Sequence, residues 1–187
     1  EEGIRFSNWY VMPQCTPTRS ALMTGFYPHR MGFGTFILPS VGKDLATPVG
    51  AAHLANVLQD NGYATYAFGK WHLGYSNNTV LPAGRGFSKF EGAFQGEGEH
   101  YFKLTGKRTK CFDWWIHEQD EDGKPLDPYP PLNEYTTYTD QIVCDRTTEV
   151  LDQKASGEIE KPIFIYMSIM NPHTPHEEPP TRTPGDT

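Results

Sequence analysis

The residues with the most chemistry to offer stand together near the start of the chain, at Cys15-Thr16-Pro17-Thr18-Arg19, followed by Ser20-Ala21-Leu22-Met23-Thr24-Gly25. A β-branched and aromatic run over 4–11 predicts a strand, and Cys15 follows it on a turn. Thr16 suits an N-cap and Pro17 the first helical position, where a missing N–H costs nothing. A short helix then runs through Met23 and stops at Gly25. This places Cys15 at the positive end of a helix, where free N–H groups and the dipole favour anions. Helical side chains lean toward the N-terminus, so Arg19 is expected to reach back to Cys15. The pattern is that of a nucleophile in an anion-binding nest.

Two more stretches offer groups of the same kind. Lys70 and His72 follow a short strand predicted over 64–68, and on an extended segment residues two apart point the same way. Lysine supplies a point charge for an oxyanion, and histidine donates a hydrogen bond or a proton. His173 follows a continuous apolar run over 163–169, the pattern of a buried central strand. Ligands of open α/β sheets bind at the carboxyl ends of strands, which is where these residues fall. Each alone fits a plainer role, Lys70 as a solvated surface residue and the histidines as capped loop residues. Their joint order argues for one site.

Cys-x-Pro-x-Arg followed by Leu-Met-Thr-Gly resembles the first signature of the sulfatase family. Gly62-Tyr63-Ala64-Thr65 with Gly69-Lys70-Trp71-His72-Leu73-Gly74 resembles its second signature, and Asn171-Pro172-His173-Thr174-Pro175-His176 its His-x-Pro segment. The match is nearest to the animal arylsulfatase B-like branch, and Gln14, Phe26 and Phe68 depart from the usual residue classes. His176 has no comparable match. The resemblance implies an alkaline-phosphatase-like α/β sandwich with a mixed, mostly parallel central sheet flanked by helices. It also implies hydrolysis of sulfate monoesters, of sulfated glycans or aryl sulfates, by a formylglycine made from Cys15 by a formylglycine-generating enzyme. A hydrated aldehyde answers the chemistry well: one hydroxyl attacks sulfur and the other later expels sulfate, whereas serine would stall as a sulfate ester. In this picture Arg19 holds the hydrate, Lys70 and His173 bind sulfate, and His72 and His173 assist proton transfer. Unmodified, Cys15 would instead be a thiol nucleophile at a helix start. Two rival readings are a phosphate or phosphonate ester hydrolase of the same superfamily and a catalytically silent binder of sulfated glycans.

The family also uses a divalent cation, usually Ca2+, held by carboxylate and amide oxygens. The resemblance assigns only modified Cys15 to it here. The Asp pair expected upstream and the Asp-Asn pair expected beyond His173 are not in the sequence, and Asp44, Glu97 and Glu99 do not match those motifs. Together with the Pro- and Thr-rich stretch over 179–187, this predicts that 1–187 is part of an N-terminal catalytic domain, cut at both ends and inactive alone. With Cys15 modified, Cys111 and Cys144 are either a disulfide or two buried thiols.

The rest of the chain must position these groups. Its 187 residues are 37% hydrophobic with 18 Gly and 16 Pro, so one loop-rich domain is expected. A net charge of -7 argues against a nucleic-acid-binding surface, leaving an anionic substrate to be drawn by a local cationic pocket. No apolar stretch is long enough to span a bilayer. The sequon at Asn77 (Asn77-Asn78-Thr79) favours a secretory route, lysosomal or extracellular. Helical spacing predicts helices over 49–60 and 138–154. The aromatic-rich stretch over 81–132 reads as an excursion across one sheet face with short strands at most. Its rings are expected to serve local packing rather than a sugar or aryl site.

Overall fold

The computed structural model describes residues 3–34, 46–105, 111–131 and 136–180; Asp44 lies outside them, as does most of 179–187. In chain order the regular elements are α1 (Cys15–Thr24), α2 (Leu54–Asp60), β1 (Ala64–Gly69), β2 (Lys89–Gly92), β3 (Leu104–Thr105), β4 (Cys111–Phe112), β5 (Trp115–Glu118), α3 (Thr139–Ser156) and β6 (Ile163–Ser168). The main sheet has the order β5-β2-β1-β6. β1 runs parallel to both β2 and β6, while β5 is antiparallel to β2; β3 and β4 form a separate antiparallel pair. The sheet is therefore mixed and mostly parallel, as expected.

Both faces are covered, which is what lets β1 and β6 be largely apolar. Alternation along β1 sends Ala67 to one face, with Met23 of α1, Ala55 of α2, Trp71, Phe87, Phe90 and Phe94. It sends Phe68 to the other face, with Ile142, Val143 and Val150 of α3 and with Trp114 and Met170. The aromatics Phe87, Phe90 and Phe94 thus serve packing. β1 and β6 meet very closely at their carboxyl ends. Gly69 has φ +100, and a Cβ there would lie 2.0 Å from the Ser168 carbonyl oxygen. Only glycine permits that approach.

Three expectations need correction. The run 4–11 is not a strand. Ile4, Phe6, Trp9, Tyr10 and Val11 are exposed, and no ladder partner accepts the run among the described residues, so its β propensity is not realised. The helix expected over 49–60 starts only at Leu54, because 48–51 is a turn closed by Ala51 N–H donating to Pro48 O at 3.0 Å, with helix-disfavouring Gly50 inside it. The stretch over 81–132 also supplies two strands of the main sheet, β2 and β5, rather than only an excursion. β2 was hidden by Glu91, a carboxylate in a buried strand. Its side chain is 1% exposed and receives Arg146 Nε from α3 at 2.7 Å and Trp114 Nε1 at 3.2 Å. A buried charge is tolerated when paired and hydrogen-bonded.

Arg146→Ala removes the charge partner and leaves Glu91 buried. We expect a loss of about 3 kcal/mol of stability by urea denaturation, near the low end for breaking a buried pair. A loss within error would show that Glu91 is held otherwise.

Candidate functional site

α1 starts two residues earlier than its sequence suggests. Gln14 is the N-cap, in extended conformation with no side-chain cap, and Cys15 is the first helical residue. Pro17 therefore occupies the third helical position, still among the N–H groups that have no intrahelical partner. Thr16 does not cap the helix; its hydroxyl donates to His72 O at 2.9 Å. Gly25 ends the helix in left-handed conformation as expected, its N–H donating to Ala21 O at 2.8 Å.

The Thr16 bond ties the helix start to the segment after β1. That segment is not extended: Gly69 has φ 100 and His72 φ 55. Lys70 and His72 nonetheless both meet Cys15, because the turn brings each to it separately. His72 Nδ1 lies 3.0 Å from Cys15 Sγ. Its ring is buried, and its backbone N–H donates to Phe94 O at 3.1 Å. Gly96 presses on the ring so closely that a Cβ there would fall 2.3 Å from His72 Cε1. Lys70 is also buried; its ammonium donates to Gly96 O, and Cys15 lies close enough to act on its charge. Burial lowers the Lys70 pKa to about 8; Arg19 pushes the same way, while Cys15 and Glu97 oppose the shift.

Arg19 sits one helical turn after Cys15, but its guanidinium is engaged elsewhere. Nη1 donates to Lys70 O at 2.8 Å, to Tyr166 Oη at 2.8 Å and to Ser168 Oγ. It joins α1 to the carboxyl ends of β1 and β6. Cys15, Thr18, Arg19 and Tyr166 line an open cleft of about 390 Å³. Lys70 and His72 do not line this cleft; they meet Cys15 from buried positions of their own.

His173 lies past the carboxyl end of β6, as expected, on a turn held by its N–H to Met170 O at 3.0 Å. Asp140, in the first turn of α3, anchors this turn by accepting from Met170 N at 2.9 Å and from Asn171 Nδ2 at 2.7 Å. His173 Nδ1 donates to Thr174 O at 2.8 Å. No hydrogen bond among the described residues links His173 to Cys15, Arg19, Lys70 or His72. Cys15, Arg19, Lys70 and His72 are thus linked to one another, and His173 shares none of these links.

Tyr166, Ser168 and Gly96 escaped the sequence reading. Tyr166 and Ser168 are two apart on β6, so they share a face at its carboxyl end, a signal that was available. Gly96 was one of several glycines in a loop. Its loop is held by buried Asp113, which accepts from Phe94 N at 3.1 Å, from Gln95 N at 2.8 Å and from Trp115 Nε1 at 3.1 Å. Burial nevertheless raises the Asp113 pKa to about 6.

The groups around Cys15 do not fit Ca2+. Among the described residues no cluster of three or more His, Cys, Asp or Glu could hold a metal, and the neighbours of Cys15 are Lys70 and His72, which suit an anion. Cys15, Cys111 and Cys144 are all free, and Cys111 and Cys144 are exposed, so neither the disulfide nor the buried-thiol expectation matches. Asn77 is exposed on a turn. Among the described residues no helix is long and apolar enough to cross a membrane.

Comparison with known proteins bears on this arrangement. The family model described as Sulfatase matches residues 1–187. Arylsulfatase J of Mus musculus is 30% identical over 178 residues, covering 95% of this chain and 28% of that protein. An arylsulfatase of Hemicentrotus pulcherrimus is 32% identical over 184 residues, 92% of this chain and 31% of that protein. The chain thus spans under a third of the length of these curated relatives. Among solved structures, Ps i-CgsB in complex with k-i-k-neocarrahexaose superposes with a TM-score of 0.66 at 28% identity, over 86% of this chain and 35% of that one. The PsFucS1 sulfatase from Pseudoalteromonas sp. superposes with a TM-score of 0.65 at 24% identity, over 89% of this chain and 36% of that one, a likeness of fold.

The packing of Gly96 on His72 is testable without any assay of activity. Gly96→Ala should lower stability by about 1–3 kcal/mol through overpacking. Gly98→Ala, whose Cβ would find nothing nearer than 3.7 Å, should leave it unchanged. Equal urea midpoints for the two variants would contradict the packing.

Proposed function

Because the chain belongs to the sulfatase family, with its alkaline-phosphatase-like fold, we propose that the protein carrying it is a sulfuric ester hydrolase whose working residue is Cys15 after oxidation to formylglycine. The observation that supports this most is the meeting of Cys15 Sγ with His72 Nδ1 at 3.0 Å, beside buried Lys70, at the start of α1. A sulfate monoester carries negative charge on its non-bridging oxygens. Lys70 offsets that charge at a site where burial strengthens the interaction, and His72 fixes or exchanges the proton of the group at position 15.

With the aldehyde hydrated, one hydroxyl attacks sulfur and the ester's alcohol leaves. Loss of a proton from the second hydroxyl then restores the aldehyde and expels sulfate. Arg19 serves this chemistry by position. Through Lys70 O, Tyr166 and Ser168 it holds the strand ends that carry Lys70 and His72. His173 is assigned to sulfate binding and to protonation of the leaving oxygen, a role that requires its turn to face bound substrate. No step is routed through Ca2+.

The natural substrate in this reading is a sulfated carbohydrate, and the carbohydrate complex of Ps i-CgsB supports that class. Oxidation of Cys15 requires a formylglycine-generating enzyme as partner. The sequon at Asn77 supports a secretory route, lysosomal or extracellular.

The test uses the full-length protein with position 15 oxidised, offered matched sulfate and phosphate esters. Sulfate esters should turn over. Cys15→Ser should lose turnover roughly a thousandfold or more while accumulating a sulfated serine detectable by mass spectrometry. Preference for phosphate esters would favour the phosphatase reading, and binding without turnover the silent binder. Multiple turnover by the serine variant near the parental rate would refute the hydrate mechanism.

A further inference from the structure

A groove of about 350 Å³ opens beside the segment that follows His72. Its walls carry Tyr75, Phe94, Phe112 and Trp115, and Asn77 and Asn78 stand at its edge. The proposed reaction uses none of these side chains. Trp115 is fixed in place: its ring lies 3° from parallel to Phe94 with centroids 6.0 Å apart, and its Nε1 donates to Asp113. Phe112 meets it edge-on at 6.2 Å. An apolar floor bordered by amides is the composition of a site for a small ligand with one apolar face and polar edges.

The segment at the edge is Tyr75-Ser76-Asn77-Asn78-Thr79, a sequon with an aromatic residue two positions before its asparagine. Asn77 Oδ1 accepts from Thr79 N at 3.0 Å and Thr79 Oγ1 at 2.5 Å. Val80 N donates to Asn77 O at 3.1 Å, and Asn78 Nδ2 to Asp127 Oδ1 at 2.6 Å, so the turn is well held. Asn77 Nδ2 makes a long bond of 3.3 Å to Ser76 Oγ in an exposed setting, one that solvent or a substituent replaces readily.

We propose that Asn77 carries an N-linked glycan whose first N-acetylglucosamine ring seats in this groove against Tyr75 and Trp115. In the modification, Asn77 Nδ2 attacks C1 of a lipid-linked pyrophosphoryl oligosaccharide in the secretory pathway. The N–C1 bond forms, the C1–O bond to pyrophosphate breaks, the lipid pyrophosphate leaves with the electron pair, and one Nδ2 proton passes to a base. The seat follows from geometry and tethering. Tyr75 and Asn77 line the same groove, and a ring fixed to Asn77 meets the aromatic floor at high effective concentration. The apolar face of the sugar covers aromatic surface that otherwise meets water. The inference rests on the secretory route but not on the sulfatase chemistry, so the two fail separately. Its rival occupant is a sugar of the substrate, since the groove wall at Phe94 and Gln95 continues into Gly96 beside His72.

The experiment expresses the full-length protein in an N-glycosylating host, with Asn77→Gln and Tyr75→Ala alongside. Glycopeptide mass spectrometry should find Asn77 occupied. Thermal melting should give the same Tm for the intact glycoprotein and for a form trimmed by endoglycosidase to one N-acetylglucosamine, because the first ring makes the contacts. Asn77→Gln should melt about 2–4 °C lower, and in the Tyr75→Ala background this difference should shrink. An unmodified Asn77, or equal Tm values for Asn77→Gln and the glycoprotein, overturns the proposal. So does a lower KM of Asn77→Gln for a sulfated oligosaccharide, which would give the groove to the substrate.

Discussion

The Arg19 guanidinium is the contact on which the site depends. β1 and β6 run parallel and end together, leaving carbonyl groups at their carboxyl ends beyond the last ladder bonds. Such groups are costly if left without donors. Arg19 supplies donors to Lys70 O and to the hydroxyls of Tyr166 and Ser168 from a single nitrogen. The close approach of these strand ends is possible only because position 69 lacks a Cβ. The same contact fixes the direction of α1, since Arg19 lies one turn from Cys15. Placing the helix start therefore also places the reactive sulfur.

Around that contact the site is built from short, separate constraints. Thr16 fastens the helix to the His72 carbonyl, and Gly96 confines the His72 ring. Asp113 holds the loop that carries Gly96, and Asp140 holds the turn that carries His173. None of these groups needs to touch a substrate to matter, because displacement of any one moves Lys70, His72 or His173 relative to Cys15. Rigid placement of this kind is what electrostatic stabilisation requires.

Much of this was legible from residue order. The apolar runs at β1 and β6 and the helical spacing of α3 are local signals, and they placed the strand ends and hence Lys70, His72 and His173. The sulfatase motifs identified the family, and the family model matches the whole chain. What could not be read depends on partners distant in sequence. β2 is a strand because Arg146 neutralises Glu91 across 55 positions. The run 4–11 has strand composition but finds no paired edge among the described residues. Arg19 turned out to serve the strand ends, because Tyr166 and Ser168 lie nearly 150 residues away and only the folded sheet brings them to it. The left-handed turn at His72 was equally hidden, since a histidine at φ 55 is held there by contacts with Thr16, Phe94 and Gly96.

The central claim is that Cys15 faces an anion site, and the free thiol itself reports on it. Alkylation by iodoacetamide can be followed peptide by peptide, in sulfate and in chloride at equal ionic strength. Cys111 and Cys144, both free and exposed, serve as internal controls. Sulfate should slow alkylation of Cys15 while leaving Cys111 and Cys144 unaffected, and Lys70→Ala should abolish the protection. Equal rates at Cys15 in the two salts, or protection that survives loss of Lys70, would contradict the account.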